Sequence, residues 1–324
     1  MSVLRKVVFA LACLLAFDAV AWDRGSVQRF ASLPPGSPNP EGITADRHGD
    51  IYVSGFTFGG AGPGKVFVFG HEGRLERVLT LTNSSGALLG LAFNATGELL
   101  VVDFGNNQVL RVDPHSGASE VFMPTPNGAG GLNALTFDKA GNVYVSDSFA
   151  GVIWRTGPQG GQATEWKRDP LLGTTGFPPF GANGLQFNND ESALFVANTG
   201  NDTVVRIANA AGAAGAANVF THSINGADGL MIDEHDNVWV CANQADEIVV
   251  TDPTGKAIAK LGDFEGVRKG SPVGLLFPAS LVRVGGWIYV TNLSLNLGLA
   301  VDSQWAAQVT THTIARLRAR IPGK

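Results

Sequence analysis

The sequence predicts an all-β chain folded as a six-bladed β-propeller. Three observations predict it. First, one short pattern recurs six times: a small or polar residue, Gly-Leu or a near variant, an apolar stretch, a turn, and an apolar strand ending in Asp or Asn. The copies read PEGITADRHGDIYVSG from Pro40, LLGLAFNATGELLVVD from Leu88, LNALTFDKAGNVYVSD from Leu132, ANGLQFNNDESALFVAN from Ala182, ADGLMIDEHDNVWVCAN from Ala227 and PVGLLFPASLVRVGGWIYVTN from Pro272. Second, the copies are evenly spaced. Their second position holds Glu41, Leu89, Asn133, Asn183, Asp228 and Val273, and successive occurrences lie 44 to 50 residues apart. A period of about 46 residues with strands and turns inside it belongs to propeller blades. Third, 42 glycines and only 16% charged residues suit short strands joined by tight turns, and no helical period is sustained anywhere.

Taken in order, the chain opens on an export leader over residues 1–21. Arg5 and Lys6 form a basic start, Val7 to Phe17 is an apolar run too short to span a bilayer, and Ala19-Val20-Ala21 is an A-x-A cleavage signal. The expected mature chain, 22–324, is one propeller domain beginning at Trp22, exported to a periplasmic or extracellular space, with no transmembrane segment and monomeric. Cleavage at Cys13 as a lipoprotein is the weaker alternative, because the residues before it fit poorly. Each copy then continues into further strands: KVFVFG from Lys65, QVLRVD from Gln108, GVIWRTG from Gly151, TVVRIAN from Thr203 and EIVVTDP from Glu247. Turn residues such as Asp252-Pro253-Thr254-Gly255 close them. The Gly/Ala run Ala210 to Ala217 reads as a surface loop. Ser26 to Leu33 or Thr311 to Ala319 is expected to complete the last blade and hide its edge. Arg316, Arg318 and Arg320 alternate with apolar residues, as on an outer strand with one charged face.

Several function classes are excluded or disfavoured. A net charge of −5 leaves no electrostatic footprint for nucleic acid. Gly59 to Lys65 has the GxxxxGK spacing of a phosphate loop, but Val66 stands where Ser or Thr is needed and strands flank it. No G-x-S-x-G occurs. Beyond the leader Cys241 is the only cysteine, so no internal disulfide forms; it sits in an apolar strand and reads as an inert buried thiol. The six histidines are scattered; His222, six residues before Asp228, is the one that could approach the axis. Asp103, Asp147, Asn198, Asn243 and Asn292 end the second strand of their copies and read as turn caps bonded to backbone.

The second position of the pattern carries the chemistry. If the copies are blades, that position recurs around one axis, and Glu41, Asn133, Asn183 and Asp228 aim oxygen-bearing side chains at one spot. Four carboxylate or carboxamide oxygens there suit a hard cation such as Ca2+. Polar residues near a channel can also serve only to bind water and one another. Against that, two carboxylates at one radius repel each other without a cation. The loops on the same face carry Phe56, Phe58, Phe104, Phe149, Phe177 and Phe180, with Leu293 and Leu295. Aromatics in blades are often packing, but as a set these lean towards an apolar substrate.

The E/N/D-G-L pattern, the Pro40-Glu41-Gly42 opening and the period resemble the six-bladed propellers of the senescence-marker-protein, gluconolactonase and luciferin-regenerating-enzyme superfamily. Paraoxonases and diisopropyl fluorophosphatase have related architectures. The resemblance covers nearly the whole mature chain. It implies a catalytic divalent cation, usually calcium, held by Glu41, Asn133, Asn183 and Asp228, with Asp228 activating the attacking water or attacking directly. It implies hydrolysis of a small-molecule ester or lactone. Two departures stand out. The family's sugar-lactone hydrolases carry Arg two residues before the third-blade Asn, where this chain has Gly131. The paraoxonase pattern has Asn after the fifth-blade Asp, where this chain has Gly229. The first departure argues against a sugar-lactone substrate. Two other readings stay open: a non-catalytic binding or scaffolding propeller of the NHL type, and a metal-independent lyase or strictosidine-synthase-like propeller.

Overall fold

The structure, a computed structural model, describes residues 23–57, 59–298 and 304–323. The leader, Trp22 and Phe58 lie outside the described residues. Six four-stranded antiparallel sheets stand in a ring, and each runs from an inner strand at the axis to an outer strand at the rim. The inner strands are Asn39–Ala45, Leu88–Phe93, Leu132–Phe137, Ala182–Phe187, Ala227–Ile232 and Pro278–Val284. The six-bladed propeller expected from the repeat is therefore the fold.

Why these residues make blades is visible in burial. A blade packs a neighbour on each face, so its second and third strands are covered on both sides and read as continuous apolar runs. In Ile51–Phe56, Tyr52 enters the core shared with blade 2, while Ile51 and Val53 enter the core shared with blade 6. The turns between inner and second strands repeat one device. Asp46, Asn94, Asp138 and Asp233 each accept backbone N–H groups through Oδ1 two or four residues on. This Asx turn is what the recurring D/N-x-x-G/D signature encodes.

Blade 6 is closed by both chain ends. Its order is Gln28–Ser32 outermost, then Thr313–Arg318, Trp287–Asn292 and Pro278–Val284. The sequence reading expected one terminus to do this. The arginine-bearing C-terminal segment is the third strand, not the outermost, and Arg316 and Arg318 lie 4.5 and 3.9 Å from the ring centre of Trp287. The Ala210–Ala217 run is a second revision. Ala213–Thr221 is an outer strand, and the turn is confined to Ala211 and Gly212.

A third revision concerns the axis itself. Val273 belongs to a hairpin of Phe264–Arg268 with Ser271–Gly274, outside the six blades. In the ring, the residue after the start of the paired inner strand is Ala279, because Pro278 pairs with Asn292 as Leu132 pairs with Asp147. Close approach confirms it: a Cβ on Gly229, just after Asp228, would lie 2.6 Å from Ala279 O. Blade 5 and blade 6 thus touch backbone to backbone at this level.

Candidate metal centre

Glu41, Asn133, Asn183 and Asp228 line one cavity of about 700 Å3 at one end of the axis. Each is at most 6% exposed. Leu89 lines it too. The four sit near the starts of inner strands, immediately before the residue at which neighbouring blades approach most closely. Gly90, for example, leaves no room for a Cβ beside Ala134 Cα at 2.8 Å. Close packing of inner strands is what draws the four side chains together.

Hydrogen bonds orient them. Asn133 Nδ2 donates to Ser148 Oγ at 3.0 Å, and Asn183 Nδ2 donates to Thr199 Oγ1 at 3.0 Å. Asp228 Oδ2 accepts from Asn243 Nδ2 at 2.8 Å. Three buried oxygens of the set are left with no partner: Glu41 Oε2, Asn133 Oδ1 and Asp228 Oδ1. Buried acceptors are normally satisfied, and orphaned ones need a physical reason. Here they are hard oxygens, two of them on carboxylates, facing one cavity.

The electrostatics point the same way. The cavity lining contains no Lys, Arg or His among the described residues. Burial pushes the Glu41 carboxyl well above its usual range, and the nearby Asp228 raises it further. Burial also raises Asp228 to about 7, with the amides of Asn243 and Asn183 pulling back. Two buried carboxyls this close cannot both ionise cheaply without a positive charge between them. The donor set therefore fits a hard divalent cation, which prefers six to eight oxygens and takes carboxylate and amide carbonyl alike. Leu89 and Ala279 leave the remaining axial positions apolar.

Above these donors the wall is aromatic. Phe56, Phe104, Phe149, Phe177 and Phe180 all line the cavity. Phe104, Phe149 and Phe180 form a cluster with centroids 5.1 to 6.2 Å apart. Phe56 meets Phe104 at 6.4 Å. Phe149 and Phe177 are about half exposed, at 51% and 53%. Leu293 and Leu295 join them, as do Phe277 and Leu297, which the sequence reading did not single out. Phe149 also explains Gly131. A Cβ on Gly131 would lie 2.7 Å from Phe149 Cδ2, so the ring fills the place of any side chain there.

The turn caps sort into three kinds. Asp103, Asp147 and Asn198 accept from backbone N–H groups of their own turns, as expected, at Asn106, Ala150 and Asn201. Asn292 instead bonds to the backbone of the segment before its inner strand, at Leu276 N–H and Gly274 O. Asn243 does not cap with its side chain; its amide holds Asp228. The physical reason is register. Ala227 pairs with Ala242 as Leu132 pairs with Asp147, so Asn243 is the counterpart of Ser148, one residue nearer the cavity mouth. His222 is exposed and lines no part of this cavity. Cys241 is fully buried, and burial, with Asp228 and Glu41 nearby, pushes its thiol up, as befits an inert group.

Residues 132–262 match the family model described as the SMP-30/Gluconolactonase/LRE-like region. This stretch of the chain is SMP-30/gluconolactonase/LRE-like. It contains Asn133, Asn183 and Asp228, while Glu41, in blade 1, lies outside the matched stretch. Among solved structures, a luciferin-regenerating enzyme is 17% identical with a TM-score of 0.68, over 93% of this chain and 97% of that one. A gluconolactonase from Xanthomonas campestris is 14% identical with a TM-score of 0.65, over 92% and 90%. A calcium-binding protein, regucalcin, from Agrobacterium tumefaciens is 17% identical with a TM-score of 0.64, over 89% and 93%. The chain finds no match among curated protein sequences. Among its described residues no helix is long and apolar enough to cross a membrane.

Proposed function

We propose that this propeller is a divalent-cation-dependent hydrolase of small-molecule esters or lactones, with calcium as the cation and a preference for hydrophobic substrates. One observation carries the reading. Two buried carboxylates and two carboxamides, with three orphaned oxygens and no cationic side chain beside them, form the floor of an aromatic cavity. The resemblance to a gluconolactonase and to a calcium-binding regucalcin supports it.

Glu41, Asn133, Asn183 and Asp228 would hold the cation. A bound calcium supplies an electrophile for a substrate oxygen and stabilises the charge that develops on it. The chain's own residues do the rest. Asp228 Oδ1, with no hydrogen-bond partner, takes the proton from the attacking water, while Oδ2 stays tied to Asn243. Glu41 acts as a ligand and balances charge. Phe104, Phe149 and Phe180 seat the apolar part of the substrate and exclude water from it. Phe149 over Gly131 fills the place of the arginine that would grip a polar sugar lactone, which supports the hydrophobic preference.

The polarity of the cavity disfavours a phosphate-rich or sugar substrate, and the unmatched buried carboxylates disfavour a passive scaffold. Export of a mature monomer from Trp22 is part of the proposal. It is checked by mass spectrometry of the exported chain, where retention of Met1 or a lipid on Cys13 would reject it. The activity is tested on chelator-treated protein. Calcium should restore hydrolysis of hydrophobic lactones or aryl esters, with kcat/KM above that for sugar lactones. Full turnover in excess chelator, or the opposite ranking, would reject the reading.

A further inference from the structure

One residue beyond the cross-strand partner of each pre-axial residue, a second ring surrounds the four donors. Its members are Phe56, Phe104, Ser148, Thr199, Asn243 and Leu293. The ring divides into two halves. Blades 6, 1 and 2 present apolar groups, and blades 3, 4 and 5 present polar ones. The polar half coincides with the three consecutive blades whose axial residues are Asn133, Asn183 and Asp228.

The direction of each hydrogen bond in that half is fixed. Ser148 Oγ donates to Ala182 O at 2.7 Å, and Thr199 Oγ1 donates to Ala227 O at 2.8 Å. A carbonyl only accepts, so each hydroxyl has used its single proton. Toward the axial amide it can then only accept, and each amide duly offers Nδ2, at 3.0 Å in both blades. A flipped amide would set Oδ1 against an oxygen with no hydrogen left to give. The carbonyls that fix the hydroxyls belong to the residues just before Asn183 and Asp228, so the order passes from blade 3 to 4 to 5. In blade 5 Asn243 Nδ2 ends the sequence on Asp228 Oδ2. Both Asn133 Oδ1 and Asp228 Oδ1 are left unbonded.

We propose that Ser148, Thr199 and Asn243 are positioning residues that make Asn133 and Asn183 present oxygen, not NH2, to the cation, and leave Asp228 Oδ1 free. The inference rests on the cation reading above. Each hydroxyl acts through the amide that donates to it. Ligand-orienting neighbours of this kind commonly change metal affinity by about 10- to 100-fold.

Calorimetric titration of chelator-treated protein with calcium alone tests it. Thr199→Val keeps the shape and removes the acceptor, so calcium should bind about 10- to 100-fold more weakly. Thr199→Ser restores the hydroxyl and should bind within about twofold of wild type. Ser148→Ala should repeat the loss in blade 3, independently of how Thr199→Val folds. A lower melting temperature with unchanged calcium affinity in Thr199→Val and Ser148→Ala would mean a purely structural role and overturn the inference. Wild-type protein that takes up no calcium would instead overturn the cation reading beneath it.

Discussion

Asp228 and Glu41 carry the same charge but differ in their surroundings, and their variants should separate. Asp228→Asn removes one charge and keeps the shape. Its kcat should fall by roughly 10² or more, as for loss of a general base, even at saturating calcium. Glu41→Gln should act through calcium affinity, so excess calcium should recover most of its turnover. Steady-state kinetics across a calcium series distinguish the two. At this scale the sequence was informative but uneven. Glu41, Asn133, Asn183 and Asp228 were legible because one position of a repeat held oxygen donors in four copies. Ala279 was not, because Pro272-Val273-Gly274-Leu275 imitates the pattern six residues early, and only strand pairing shows it to be a hairpin. Asn243 was misread for a similar reason. Its position after Val238-Trp239-Val240-Cys241-Ala242 resembles a strand-ending cap. Counting from Val238 against Val143 puts it opposite Ser148, a signal the sequence does contain.

Among the elements, the inner strands and the cavity loops decide most. Gly229 sits where a Cβ would meet Ala279 O at 2.6 Å and Ser280 Cα at 2.8 Å, both backbone. Gly229→Ala should therefore destabilise the protein by roughly 1–3 kcal/mol through overpacking, measured by urea denaturation. In the loop after the second strand of blade 3, Phe149 contributes to the aromatic cluster without being buried. Phe149→Ala should raise KM for hydrophobic substrates by roughly tenfold, equivalent to about 1–1.5 kcal/mol of apolar contact, with little change in kcat. The second and third strands were readable because burial on both faces makes them apolar throughout. Outer strands such as Ala213–Thr221 were not, since they are buried on little of their surface and carry only a weak pattern. Closure by both termini was also hidden. The final segment needs a further strand outside it to cover its own edge, and Gln28–Ser32 supplies that from the other end of the chain.

For the whole molecule, the ring holds two carboxyls whose pKa values are raised by folding. In metal-free protein, Asp228 keeps a proton up to about pH 7, and Glu41 is raised in the same direction. The unfolded chain releases these protons in the ordinary carboxylate range. The folded state thus holds more protons between that range and about pH 7, and their contribution to stability is lost as pH rises through it. Calcium competes with the same protons. The calcium-induced rise in melting temperature should therefore be larger at pH 8 than at pH 5, and Asp228→Asn should flatten the difference. The measurement that bears most directly on the central claim joins binding to turnover. Chelator-treated wild type is titrated with calcium while hydrolysis of a hydrophobic lactone is followed in the same samples. The account predicts one binding event whose saturation curve overlays the recovery of activity, with Asp228→Asn still binding calcium more weakly but not recovering. Calcium binding without any turnover, or equal turnover in wild type and Asp228→Asn, would contradict it.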